Sequence, residues 1–177
     1  MRWFATSDDN YFATLNVPRS FAISNDELKQ SYHKLMADLH PDRQSQKLPH
    51  EQELAANGAA QVTHAYTVLQ NPHERAVHML ELLDNPLEEA SGGDELVGME
   101  FLMEIMELRE EIASTTNQEV LSKLMKDNQA RMETLCVDLA IAFDDTTTNL
   151  ETALQLTAQL QYWNRIDETL HEKIDVS

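Results

Sequence analysis

The stretch Leu39-His40-Pro41-Asp42-Arg43 ends a helical pattern and decides how the first half of the chain is read. The apolar residues before it recur every three or four positions, which places them on one face of a helix: Leu28, Tyr32, Leu35 and Leu39. Pro41 stops this helix, because its ring clashes with the preceding turn and it has no N–H to donate. His40 and Asp42 are therefore predicted to lie at a polar helix end.

Local signals fix the helices on both sides of this stretch. Ser24-Asn25-Asp26-Glu27 has the pattern of a capping box and predicts where the first helix begins. A second helix is predicted from near Pro49 through Ala65-Tyr66-Thr67-Val68-Leu69. Asn71 is then expected to cap a further helix whose first residue is Pro72. Two helices joined by a loop that starts with His-Pro-Asp resemble a J domain, the module with which co-chaperones stimulate a partner ATPase.

The J-domain resemblance implies a chaperone-binding face on the first of these helices and in the loop. By position, that face comprises Lys29, His33, Lys34, His40, Pro41, Asp42 and Arg43. Asp38 departs from the pattern, since J domains usually have a base there. An ordinary solvated helix face is the alternative interpretation of the charges. No nucleophile or metal-ligand pattern accompanies His40 and Asp42, so the loop is interpreted as a contact site and no catalytic residue is predicted.

Composition and charge predict an all-α protein with two parts. Glycine and proline are few, and long periodic segments rich in Ala, Leu, Glu and Met dominate. The net charge of −18 is uneven, because residues 1–84 hold seven Lys/Arg against eleven Asp/Glu, whereas residues 85–177 hold six against twenty. This asymmetry suggests two domains, 1–84 and 85–177, with different partners. Nucleic acid is not expected to bind, because its phosphates would be repelled by the acidic half.

Three long helices are predicted in the second half, over 95–114, 117–143 and 147–174. Asn117 is expected to cap the second, and Thr148-Asn149-Leu150-Glu151 offers a capping box for the third. Short connections between long helices predict an antiparallel three-helix bundle.

The first helix of this bundle carries two apolar stripes on nearly opposite sides. One consists of Phe101, Ile105, Leu108 and Ile112, and the other of Met99, Leu102, Met103 and Met106. A peripheral helix needs only one stripe to face its core, so the methionine-rich stripe must meet something else. We expect a protein partner, and packing against the first domain is the alternative. Tyr162, on the last helix, is expected to extend this face with its hydroxyl in water.

A J domain followed directly by an acidic helical bundle resembles the HscB family, the J-type co-chaperones of iron–sulfur cluster assembly. The segments that carry the resemblance are Asn10-Tyr11-Phe12-Ala13-Thr14-Leu15, Asn71-Pro72-x-x-Arg75-Ala76, and Phe101-Leu102-Met103-Glu104 running into Glu107-Leu108-Arg109-Glu110-Glu111. The resemblance implies an N-terminal J domain, a helical hairpin with the His-Pro-Asp loop, joined to a C-terminal antiparallel three-helix bundle.

The resemblance also implies two partners: an IscU-type iron–sulfur scaffold protein, and an HscA-type ATPase chaperone of the heat-shock-70 class to which the scaffold is delivered. The implied scaffold-binding residues are Leu102, Met103, Met106, Glu107, Glu110 and Tyr162, to which the methionine stripe adds Met99. Met106 stands where the family usually has leucine, and Tyr162 where it usually has phenylalanine.

Other functional classes are disfavoured by what the chain lacks. Its single cysteine, Cys136, excludes an internal disulfide and a Cys-x-x-Cys metal clamp, and neither a metal nor a cofactor is expected. No signal peptide or bilayer-spanning run is recognised, and Asp8 and Asp9 disfavour a mitochondrial presequence, so a cytoplasmic protein is predicted. The resemblance to the HscB family implies a bacterial-type protein, because the N-terminal cysteine motifs of the vertebrate type are not present in the sequence. Three alternatives remain open: a J protein for a general DnaK-type chaperone, an acidic helical scaffold without co-chaperone activity, and a histidine-dependent metalloenzyme.

Overall fold

Helices account for all the regular structure in the described part of the protein. The computed structural model describes residues 10–40, 48–87, 93–144 and 148–176. Within them lie α1 (Tyr11–Thr14), α2 (Asn25–Leu39), α3 (Pro49–Gln70), α4 (Pro72–Leu82), α5 (Gly93–Val97), α6 (Met99–Ser114), α7 (Gln118–Ala142) and α8 (Leu150–Val176). No described residue belongs to a strand. The all-α prediction is confirmed.

The chain divides into two compact units, Met1–His78 and Met79–Ser177, each with its own buried side chains. In the first unit α2 and α3 pack as a helical hairpin, and the rings of Tyr32 and Tyr66 stack between them at 4.4 Å. The core of this unit is formed by side chains from α1 to α4 and from the segment before α2: Phe12, Leu15, Phe21, Ile23, Leu28, Val62, Leu69 and Ala76.

The predicted starts of the helices in the first unit are confirmed. The Ser24 hydroxyl accepts from the Glu27 N–H at 3.2 Å, and the Glu27 carboxylate accepts from the Ser24 N–H at 3.1 Å, which completes the capping box. Pro49 is the first residue of α3. The Asn71 side chain accepts from the His73 N–H at 2.9 Å and so caps α4.

In the second unit α6, α7 and α8 form the predicted three-helix bundle, with α7 antiparallel to its two neighbours. Helices α6 and α8 run in the same direction, since Phe101 near the start of α6 contacts Trp163 in the middle of α8, whereas the Ile112 carbonyl near the end of α6 accepts from Lys173 in the last turn of α8. The core is formed mainly by Ile105, Ile112, Leu121, Leu135, Leu139, Leu160, Trp163, Ile166 and Leu170.

Two boundary predictions in this unit are wrong. The helix predicted over 95–114 is interrupted at Gly98, which has a φ of +80° and separates α5 from α6. A residue in this left-handed conformation cannot continue an α-helix. Asn149, not Thr148, caps α8, because the Asn149 side chain accepts from the Thr152 N–H at 3.1 Å. The Thr148 hydroxyl instead donates to the Asp144 carbonyl.

Candidate functional site

The first predicted site lies on the exposed side chains of α2. Lys29, His33 and Lys34 are all exposed there, and His40, exposed as well, ends the helix as its C-cap with φ −59° and ψ 136°. This extended conformation is the one that a following proline imposes. The remaining predicted members of this site, Pro41, Asp42 and Arg43, lie outside the described residues.

The orientation of α2 is fixed from both of its ends. The capping box sets its first turn. The Glu27 carboxylate accepts hydrogen bonds from both the N–H and the hydroxyl of Ser24. These two bonds, of which the one from the N–H has the larger effect, hold the pKa of Glu27 below its ordinary value. Near its last turn Leu39 lies 3.6 Å from where a Cβ on Gly58 of α3 would be, so the two helices approach closely just before His40. The side chains on the opposite face therefore point into solvent.

A hollow beside His40 was not predicted. A cavity of about 760 Å³ opens between α2 and α3 and is lined by His33, Met36, Ala37, Leu39, His40, Gln52, Ala55, Ala56 and Ala59. The alanines of α3 leave this space because their side chains are too short to fill it. The three alanines with Gly58 are the sequence signal that could have indicated it.

The second predicted site lies on α6. One of the two apolar stripes of this helix is buried in the bundle and the other is exposed. Ile105 and Ile112 are buried in the bundle, at 2% and 1% exposure. The methionines on the other side are exposed, with Met99 at 74%, Met103 at 55% and Met106 at 69%. We call Met99, Met103 and Met106, with the half-buried Leu102, the methionine surface. The three methionine side chains are therefore mostly exposed, outside the buried core of their unit.

Charged groups lie along this helix. Glu107 and Glu110, both predicted site residues, are exposed. Glu104, one turn before Glu107, pairs with Arg131 of α7, whose guanidinium lies 4.7 Å from the centre of the Trp163 ring. This ion pair and cation–π contact fix one side of α6 against the bundle without covering the methionines.

Tyr162 does not have the free hydroxyl expected from the sequence. Its hydroxyl donates to the carboxylate of Asp94 in α5, and its ring meets the edge of Phe101 at 5.7 Å. The bond to Asp94, followed by burial and by the negative charge of Asp94, raises the pKa of Tyr162 above its ordinary value. Asp94 is a residue that sequence reasoning missed. It lies 68 positions from Tyr162, beyond the reach of local patterns.

The described residues contain no group of three or more His, Cys, Asp or Glu side chains that could hold a metal ion. None of the helices in this part of the chain is long and apolar enough to cross a membrane.

Comparison with known proteins finds a matching family model for each of the two units. The model described as the HSCB C-terminal oligomerisation domain matches residues 97–171, and the DnaJ domain model matches residues 10–78. The J-type co-chaperone jac1, mitochondrial, of Schizosaccharomyces pombe is 37% identical over 155 residues, which cover 86% of this chain and 65% of that protein. This chain therefore spans about two thirds of the yeast protein's length.

Bacterial and human relatives agree with this match. The co-chaperone protein HscB of Proteus mirabilis is 30% identical over 142 residues, covering 80% of this chain and 79% of that protein. The crystal structure of the human co-chaperone protein HscB superposes with a TM-score of 0.83 at 25% identity, covering 93% of this chain and 81% of that one. With both of its domains matched and a bacterial relative aligned over most of its length, this chain belongs to the HscB family of J-type co-chaperones.

Proposed function

We propose that this protein is a co-chaperone of iron–sulfur cluster assembly that joins two partners. Its second unit binds an IscU-type scaffold protein, and its first unit engages an HscA-type ATPase chaperone and stimulates ATP hydrolysis. The names of curated relatives support the pathway, since the mouse relative, 28% identical, is called an iron–sulfur cluster co-chaperone protein. In this role the protein is a regulator of a chaperone.

The exposure of the methionine surface is the observation that carries the proposal. Three methionines on one side of α6 are each more than half exposed, although the same helix buries Ile105 and Ile112 on its other side. Methionine side chains are flexible and polarisable, so a surface made from them adapts to a protein partner. The neighbouring carboxylates of Glu107 and Glu110 would meet basic groups of the scaffold at its rim.

The chaperone contact is proposed for the outer face of α2 and the His40-Pro41-Asp42-Arg43 loop. Lys29, His33 and Lys34 provide donors and positive charge on that face, and His40 begins the loop. Contacts of this kind act on the partner by binding one of its conformations more tightly than another. The stimulated ATP hydrolysis then takes place entirely within the chaperone.

The location of the protein stays a prediction of the sequence. A bacterial cytoplasmic protein is consistent with the Proteus mirabilis relative, whereas the fission-yeast relative is named as mitochondrial.

The proposal is tested by making the methionine surface polar. We expect Met103→Ser with Met106→Ser to weaken binding of an IscU-type scaffold at least tenfold, since truncated interface anchors commonly cost more than about 1 kcal/mol each. Isothermal titration calorimetry with the purified scaffold measures the change, and circular dichroism checks that the variant is folded.

A matched control is available on α7. Val137 and Ile141 are 61% and 64% exposed, comparable with the methionines, but lie on another helix. Val137→Ser with Ile141→Ser removes similar exposed apolar area and should leave scaffold affinity within about twofold. Equal losses from both pairs, or no loss from the methionine pair, would contradict the assignment of this surface.

A further inference from the structure

We propose that α5 is a latch beside the methionine surface, closed by the hydrogen bond from Tyr162 to Asp94, and that the closed latch holds the Tyr162 ring where the scaffold meets it. The positioning role rests on the scaffold-binding function proposed above. The latch itself is a property of the isolated chain. It assigns Asp94 a role as a positioning residue.

The ring of Tyr162 is held from two directions. Phe101 of α6 meets it edge-on, with the ring centres 5.7 Å apart and the planes at 77°. Its hydroxyl is bound to the Asp94 carboxylate of α5. A tyrosine side chain has only two rotatable bonds, so one contact at the ring and another at the hydroxyl leave it little freedom.

Helix α5 is held by a few tertiary contacts, and this bond is one of them. It has only five residues, and a helix that short is not stable without tertiary contacts. Two of its side chains supply such contacts, because Val97 is buried at 6% exposure and Asp94 accepts from Tyr162. Helix α5 packs against both α6 and α8, so its loss would uncover part of each.

Gly98 allows α5 to turn relative to α6. Its φ of +80° lies in the left-handed region, where side chains other than glycine are strained. A Cβ at this position would meet no atom within 4 Å, so the backbone conformation and not lack of space requires glycine. The Gly98 N–H still donates to the Asp94 carbonyl at 3.2 Å, which makes its amide proton a reporter of α5 formation.

The protonation state of the phenol suits a direct bond to Asp94. A tyrosine hydroxyl has an ordinary pKa of about 10 and is protonated at neutral pH, and the bond to Asp94 raises the pKa of Tyr162 further. The neutral hydroxyl can donate to the carboxylate, whereas a tyrosinate at the same place would be repelled by it. The latch is therefore closed at neutral pH.

The proposed latch and a purely apolar role of the Tyr162 ring predict different effects of removing the Tyr162 hydroxyl. If the Tyr162 ring serves only as apolar surface, Tyr162→Phe should bind the scaffold as well as the wild type does, or better, since phenylalanine is the residue that the family resemblance implies here. If the hydroxyl positions the ring through α5, the same substitution should weaken binding.

The first measurement uses the chain alone. Amide hydrogen exchange of Val97 and Gly98, followed by nuclear magnetic resonance, should accelerate about tenfold in Tyr162→Phe and in Asp94→Ala. Asp94→Asn should show a smaller acceleration, because the amide oxygen still accepts from the hydroxyl. Tyr66→Phe, which removes a tyrosine hydroxyl from the first unit, is the control and should leave exchange of α5 unchanged. Unaltered exchange in both Tyr162→Phe and Asp94→Ala would overturn the latch.

The second measurement is scaffold affinity by calorimetry. We expect Tyr162→Phe and Asp94→Ala to bind the IscU-type scaffold about fivefold more weakly, with Asp94→Asn close to the wild type. Faster exchange with undiminished affinity would overturn the positioning role. A wild-type chain that does not bind the scaffold would refute the proposed function and with it the positioning role, whereas the latch would still be decided by the exchange of Val97 and Gly98.

Discussion

Arg75 shows how much structure one buried side chain can hold together. It is only 5% exposed, and its guanidinium donates to three backbone carbonyls: Leu69 at 2.7 Å, Phe21 at 2.7 Å and Ile23 at 3.3 Å. A fourth bond, to the Asn25 side chain, reaches the first residue of α2. One cation on α4 thus joins the end of α3 to the segment that leads into α2, on which the proposed chaperone-binding face lies.

Replacing Arg75 should therefore destabilise the first unit strongly. Arg75→Met keeps much of the aliphatic stem but leaves buried carbonyls without their donor, so we expect the free energy of unfolding to fall by about 3 kcal/mol. Arg75→Lys retains the charge but lacks the planar fork, and it should recover only part of this loss. Urea unfolding followed by circular dichroism measures the differences.

The control for this prediction is Arg165→Met, which changes an exposed arginine of α8 and should alter stability by less than about 0.5 kcal/mol. A similarly small effect of Arg75→Met would mean that water or neighbouring groups replace the guanidinium without cost.

At the scale of residues, sequence reasoning identifies a position more readily than the partner of its side chain. Arg75 is part of a recognisable family segment, but its acceptors at Phe21 and Ile23 lie more than 50 positions away. The same holds for Tyr162, which the helical pattern correctly places off the core stripe, while its bond to Asp94 depends on how α5 folds back. Contacts this distant leave no periodic trace in a single sequence.

At the scale of elements, helix starts are predictable where the signal is chemical and local. The Ser24 to Glu27 capping box, the Asn71 cap and the Asn117 cap are all formed as predicted, since each needs only a few consecutive residues. The break at Gly98 was missed because glycine is tolerated inside helices, and the sequence pattern does not distinguish that case from a left-handed turn.

The capping box of α2 makes a pH-dependent prediction. The lowered pKa of Glu27 means that its ionised form is favoured in the folded state, so its contribution is present above the unfolded-state pKa of about 4.3 and is lost as the pH falls through the lower folded-state value. Glu27→Gln lacks this charge. We expect it to be less stable than the wild type at pH 7, by a difference that narrows as the pH falls from 5 to 3.

Urea unfolding at pH 7, 5 and 3 tests this, with Glu53→Gln as the control at an exposed position in α3. A stability difference between Glu27→Gln and the wild type that stays constant over this range would show that the carboxylate charge does not strengthen the cap.

At the scale of the whole molecule, the two units differ in charge and in the surfaces they expose. The chain as a whole carries −18, most of it after residue 84, and yet three exposed methionines interrupt this acidic half. Charge asymmetry and apolar periodicity are global properties of a sequence, so the all-α class and the two-part organisation could be inferred from them. The proposed adaptor role adds the requirement that both binding surfaces belong to one chain.

That requirement can be tested by separating the two sites onto different molecules. His40→Gln removes the first residue of the proposed chaperone loop and leaves the methionine surface intact, while Met103→Ser with Met106→Ser does the reverse. We expect neither variant to support full scaffold-dependent stimulation of an HscA-type ATPase. His50→Gln, which changes another exposed histidine of the first unit, should behave as the wild type.

An equimolar mixture of the two variants gives the decisive result. Two sites on one chain raise the effective concentration of scaffold at the chaperone to the millimolar range, which separate molecules at micromolar concentration cannot match. The mixture should therefore stimulate no more than the two variants do separately, and the His40→Gln chain should lower stimulation by a limiting amount of wild type, because it sequesters scaffold. Restoration of wild-type turnover by the mixture would mean that chaperone and scaffold are engaged independently, and that the covalent connection between the two units is not needed for stimulation.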